Sequence, residues 1–164
     1  MTFEINFNSQ PTIVNVNVRK EGAEHDILAV DVSVKGEAPG ADAAEMLGCP
    51  KDMVRYLWDG EIEGIPARFS GVSNIISWAK FENCTATIGK LKFEGVVAKK
   101  FKIKPIGGGN VEISFQIGIS KIPPIDVGKL SDLAMEHAKL TIYGENDLFD
   151  EDDEDDEAGE DEAA

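Results

Sequence analysis

Three observations predict a mostly β (α+β) chain: an antiparallel sheet or OB-like barrel with one or two short helices and a disordered acidic C-terminal tail. Apolar residues alternate with polar ones along segment after segment, the period of a half-buried strand. Gly- and Pro-containing breaks separate those segments. Twelve of the 31 acidic residues fall between Asp147 and the last residue, where no basic residue occurs. The expected division is a β-rich globular domain over 1–146 and a disordered tail over 147–164.

Phe3, Ile5 and Phe7 alternate with polar residues and read as a short strand. Val14, Val16 and Val18 repeat the pattern, and Leu28, Val30, Val32 and Val34 repeat it after the polar loop from Lys20 to Asp26. An antiparallel hairpin with one buried face follows from that spacing. Pro39 and Gly40 break the strand. Residues 41–47 are Ala-rich and helix-compatible, and Gly48, Cys49 and Pro50 interrupt them. A second short helical stretch is expected over 51–58, with Met53, Val54, Leu57 and Trp58 on one side.

From Ile62 to Ser120 the pattern is β again. Ile76 and Trp78 flank Ser77, and Leu91 and Phe93 alternate with Lys90 and Lys92. The clearest element is a hairpin from Lys99 to Ser120. Phe101 and Ile103 point one way, and Lys100, Lys102 and Lys104 the other. Gly107 to Asn110 makes the turn, and Val111, Ile113, Phe115, Ile117 and Ile119 form one apolar face. Pro123-Pro124 ends that strand. Asp126 is the expected cap of a helix running to about His137, with Val127, Leu130, Leu133, Ala134 and His137 on one stripe. Leu140 and Ile142 mark a last strand. The tail after it has too little apolar surface to offset an ordering cost of about 1–2 kcal/mol per residue.

The net charge of −15 conceals a division. Without its tail the chain carries only −3. Residues 1–71 hold 12 acids and 6 bases, whereas residues 72–121 hold 8 lysines and 3 glutamates. A basic region and an acidic tail therefore share one chain. Met1 to Gln10 has neither a basic nor an apolar leader pattern, and no apolar run approaches the roughly 20 residues that span a bilayer. A cytoplasmic location is expected (a bacterial host's cytoplasm if a phage encodes the chain), with no membrane partner.

Catalytic patterns are missing. Cys49 and Cys84 lack the spacing of a zinc site or a disulfide framework and read as reduced thiols. His25 and His137 stand apart with no nucleophile beside them; His25 reads as a solvated loop residue and His137 as a helix C-terminal one. Gly107-Gly108-Gly109 leads into a strand and lacks the Gly-Lys-Ser/Thr of a phosphate loop, and Gly128-Lys129 lacks its upstream glycine. The alternating Asp150, Asp152 and Glu154 lack the glycine of a calcium loop, since Asp155 stands at its sixth position. No enzyme activity, cofactor or metal is expected.

The constellation that stands out is basic and aromatic. Lys80, Lys90, Lys92, Lys99, Lys100, Lys102 and Lys104 supply cations for phosphates. Trp78, Phe81, Tyr56 and Trp58 are the candidate exposed rings for stacking bases. The parity of Phe93 and Phe101 assigns them to the core. Outward lysines also serve as ordinary solubility devices on strands. Within the acid run, Leu148 and Phe149, with Asp150, Asp152 and Asp153, form a candidate partner-binding segment; packing back onto the last strand is the plainer reading of that apolar pair.

The lysine-rich hairpin joined to the acidic segment 147–164 resembles bacterial and phage single-stranded DNA-binding proteins. The resemblance is one of architecture. It implies a nucleic-acid-binding β domain with a tail that regulates DNA access and recruits partners. Those families usually carry an apolar tip at the very C-terminus, whereas this chain ends Glu162-Ala163-Ala164. The segment from Phe101 to Ser131 is also similar to uncharacterised phage and prophage proteins, which implies a phage setting but no activity.

The function expected is therefore non-enzymatic single-stranded DNA binding in replication or recombination, with replication or recombination proteins as tail partners and room for a homo-oligomer. Two alternatives stand beside it. A DNA mimic or host-protein inhibitor would need Asp31, Glu37, Asp42, Glu45, Asp59, Glu61 and Glu63 on one face. A virion structural protein would assemble into large particles.

Overall fold

The computed structural model describes residues 2–40, 42–43, 75–106 and 109–145. The expected helical stretch at 51–58, Cys49, and the whole acidic segment 147–164 lie outside these residues. Gly40, Asp42 and Ala43 are helical, in line with a helix starting after Pro39.

The alternating segments form strands β1 (Thr2–Glu4), β2 (Thr12–Glu21), β3 (Ile27–Pro39), β4 (Ile75–Ser77), β5 (Phe81–Ile88), β6 (Leu91–Pro105) and β7 (Asn110–Ser120), followed by helix α1 (Pro124–Asp132) and strand β8 (Leu140–Glu145). Among the described residues the chain is thus mostly β, with every strand pair antiparallel. The sheet order is β1-β8-β5-β6-β7-β3-β2, and β4 pairs with β6 beyond the end of β5.

The margin strand β2 meets the segment that leads into β8. Ile13 at the start of β2 donates its N–H to Glu136 O (2.9 Å) and accepts from Met135 N–H (2.6 Å), just ahead of β8. Thr12 bridges His137 there. The same contacts shorten α1. It begins on Pro123, with Pro124 in its first turn and no side-chain cap, and it stops at Asp132. Asp126 lies in the first turn, where its charge suits the helix dipole, and does not cap. His137 is no helix terminus, because Met135 turns through φ 68° and the chain is already extended against β2.

The β2–β3 hairpin forms as the alternation predicts, with Val16 opposite Val32 and Val18 opposite Val30. Its buried face is less regular. A bulge between Ile13 and Asn15 turns Val14 outward, while Val18 sits at the sheet margin and stays exposed. β1 joins β8 instead of this hairpin. The hairpin expected from Lys99 proves longer, since β6 starts at Leu91 and its pairings carry three irregularities.

Val111, Ile113, Phe115, Ile117 and Ile119 all face the core, as does Leu130 of α1. Four rings tie the strands together: Phe7 stacks on Phe115 (6.3 Å between centroids), Phe115 on Phe101 (5.3 Å), and Phe81 meets Phe101 edge-on (5.7 Å). Each such pair adds about 0.5–1.5 kcal/mol beyond its buried area.

β8 lies against β5 closely enough to require glycine at one point. A Cβ on Gly144 would sit 2.8 Å from Cys84 Sγ and 3.3 Å from Cys84 Cα. Gly144→Ala is expected to cost about 1–3 kcal/mol by overpacking, read as a fall in urea midpoint. Burial pushes the Cys84 thiol up from its ordinary 9.0 to about 11, and a backbone hydrogen bond at Ala98 opposes this less strongly. The native state therefore holds this proton more tightly than the unfolded chain does. The stability this gives is complete below pH 9 and is lost as pH rises from about 9 to about 11. At pH 8, mass spectrometry should find Cys84 alkylated slowly by iodoacetamide in the native protein and quickly in urea.

Candidate nucleic-acid interface

The site is built by a break in one strand and a bulge in its neighbour. β4 and β5 run in line along β6, interrupted at Trp78, Ala79 and Lys80. Opposite the break, β6 carries one extra residue relative to β7 between Lys99 and Lys102, and Lys100 takes φ 58°. An extra residue lets two consecutive side chains face outward. Lys99 and Lys100 do so, while Phe101 and Ile103 return to the core.

A concavity of about 320 Å³ lies over the break, lined by Ile76, Trp78, Lys80, Lys100 and Lys102 among others. Trp78 is 94% exposed, and Ile76 beside it is also exposed. A shallower hollow of about 250 Å³ adjoins it across Lys100 and Lys102, bordered by Val14, Lys35, Ser114 and Gln116. The two lysines thus stand on a divide with apolar surface on either side. Among the described residues no carboxylate lines either hollow.

The expected cations differ in how available they are. Lys100, Lys102 and Lys104 are exposed and form no ion pair with another described residue. Lys99 leans on Asp31 (3.7 Å), which also accepts from Arg19 Nε (2.9 Å). Lys80 pairs with Glu82 at 2.7 Å, and its hydrogen bond and charge hold that carboxyl below the usual carboxylate range. Lys92 pairs with Glu94 at 3.5 Å.

Position separates them further. Lys92 and Lys90 stand at the far end of β6, and at about 3.3 Å per residue Lys92 lies roughly 30 Å along the strand from Lys102. Lys90 sits in the β5–β6 turn and borders a different hollow. The fold brings together Trp78, Lys80, Lys100 and Lys102, with Lys99 and Lys104 beside them, and leaves Lys90 and Lys92 apart. Phe81 does not offer its ring to solvent: it is 1% exposed and packs on Phe101. The irregularity between Phe81 and Cys84 lets both side chains face the core although they stand an odd number of residues apart. Phe93 and Phe101 are buried as their parity predicts. Tyr56, Trp58, Leu148, Phe149, Asp150, Asp152 and Asp153 lie outside the described residues.

Sequence reading missed Ile76, Val14 and Lys35 at this surface. Lys35 was within reach, because Ser33, Lys35 and Glu37 alternate with a buried valine and alanine. Val14 was not, because its outward turn depends on the bulge. Among the described residues no three His, Cys, Asp or Glu side chains group to hold a metal ion, and no helix is long and apolar enough to cross a membrane. No protein-family model, curated protein or solved structure matches the chain.

The placement of Trp78 has a spectroscopic consequence. With Trp58→Phe leaving Trp78 as the remaining tryptophan, emission should be that of a water-exposed indole and should be quenched freely by acrylamide. A blue-shifted, protected emission would contradict the exposed ring.

Proposed function

We propose that the chain is a non-enzymatic single-stranded DNA-binding protein that acts in replication or recombination, in a phage-type setting. The observation that carries this reading is the exposed Trp78 ring beside Lys100 and Lys102, in a hollow that no carboxylate of the described residues lines. A single strand needs a flat ring for its bases and nearby cations for its phosphates, and little else when sequence is not read. Ile76 widens the apolar platform. Lys80 and Lys104 extend the positive strip along the strand direction.

The acidic segment from Asp147 onward complements that strip in charge. A tethered polyanion competes with DNA at high effective concentration and so raises the threshold for binding. The DNA-mimic reading draws less support. Asp31, one of the carboxylates it needs, is held by Arg19 and Lys99 on its own sheet.

Oligo-dT titration at low salt tests the proposal. Trp78→Ala should weaken binding by about 1–3 kcal/mol, the worth of one stacked base. Lys100→Gly with Lys102→Gln should weaken it too and flatten the salt dependence by roughly 0.7 in log–log slope per lost phosphate contact. Glycine suits φ 58° at position 100, so the loss of charge is not confounded by strain. Deleting residues 147–164 should tighten binding. No binding by either the full chain or the truncated one at low salt would end this reading.

A further inference from the structure

A second basic hollow lies at the opposite end of β6, and nothing in the proposed DNA interface uses it. It has a volume of about 550 Å³, larger than either hollow beside Trp78. Ile88, Leu91 and Leu133 give it an apolar floor, and Lys90, Lys129 and Lys139 stand on its rim. None of these three lysines forms an ion pair with another described residue, and no carboxylate among the described residues lines the hollow.

The hollow is held together by backbone. Gly89 turns β5 into β6 with φ 61°, and its N–H donates to Lys139 O at 2.8 Å. That bond fixes the Lys90 turn against the approach to β8. His137 joins the rim with its Nδ1 committed to the protein side, 3.2 Å from Gln10 O and 3.3 Å from Thr12 Oγ1. An apolar floor ringed by cations selects an apolar group flanked by negative charge.

The chain carries one segment of that chemistry: Asp147-Leu148-Phe149-Asp150-Glu151. Its own hollow is out of reach of that apolar pair. β8 leads away from Lys139, and six residues at about 3.3 Å each carry it roughly 20 Å from the hollow. Phe149 lies four residues beyond Glu145, a stretched reach of at most about 14 Å. A second copy has no such constraint.

We infer that the hollow between Lys90, Lys129 and Lys139 receives Leu148 and Phe149 of a second copy of this chain, with Asp147, Asp150 and Glu151 meeting the rim lysines. Exchange of the segment is reciprocal in a two-fold pair, each copy giving one and receiving one. The contact does not involve the Trp78 hollow, so it stands or falls independently of DNA binding.

Sedimentation velocity of the full chain across a concentration series, without DNA, tests the inference. The chain should associate at low salt and dissociate as salt rises. Leu148→Ser with Phe149→Ser, outside the sheet, should abolish association, and Lys90→Glu with Lys139→Glu should do the same. Mixing those two double variants restores one intact segment and one intact hollow per pair, so heterodimers should reappear. Lys100→Gly with Lys102→Gln should leave association unchanged. A chain that stays monomeric at every concentration overturns the inference. So does association that survives either of the first two double variants, that is lost in the third, or that fails to return on mixing.

Discussion

The bulge at Lys99 and Lys100 is the constraint on which the outer surface depends. A regular strand gives alternate residues to the core and to solvent. β6 must bury Phe93, Val96 and Ala98 near its start and Phe101 and Ile103 near its end. Ala98 and Phe101 differ by an odd step, so no regular strand buries both. The extra residue resolves the conflict, and Lys100 adopts φ 58° to do it. A non-glycine residue there is uncommon and costs free energy. The core contacts of Phe101 with Phe81 and Phe115 offset that cost. The lysine divide between the two hollows is thus a by-product of core packing: the ring goes in, and its preceding lysine goes out.

The opposite strand shows the same economy. β5 could continue straight into β4, yet the chain breaks at Trp78 to Lys80 where β6 bulges. Ala79 N–H, freed from the ladder, is taken by Ser77 Oγ at 3.2 Å. A backbone group without a ladder partner needs such a substitute. Among the described residues no strand lies beside the Trp78 indole to cover it. An exposed tryptophan forfeits a large hydrophobic gain, and it takes no part in the core of the described residues. That mismatch is why the proposed function rests on the ring more than on the abundance of lysines, which strands carry for solubility in any case.

The antiparallel sheet was legible because the alternation in residues 99–120 admits one parity, and the core faces of Phe101, Ile103, Val111 and Phe115 follow from it. The clustering of the site was legible in part. Lys100 and Lys102 share a face by period alone, and their neighbour Trp78 comes from a separate strand that sequence spacing cannot place. Lys90 and Lys92 look like the same patch in a linear reading, because charge counts ignore the 3.3 Å rise of an extended chain. The irregular positions were hidden for a common reason. Val14, Phe81 and the end of α1 are all set by contacts remote in sequence: Val14 by the β2 bulge, Phe81 by Phe101, and α1 by the return of Met135 to Ile13.

The two hollows differ in a way that bears on what each can hold. The one at Trp78 has a ring standing proud of the sheet and cations on a ridge, an arrangement that suits a ligand with faces to stack and charges on one side. The one at Lys90 has its apolar groups sunk between a turn, a helix end and the approach to β8, with cations around the mouth. Aliphatic Ile88, Leu91 and Leu133 offer no stacking plane, so a nucleobase gains little there, whereas a Leu or Phe side chain gains the burial of its whole apolar surface. At about 25 cal/mol per Å² that burial outweighs a single exposed ion pair of about 0–1 kcal/mol. Charge therefore brings an acidic segment to either hollow, and the aliphatic floor decides which one keeps the segment's apolar pair.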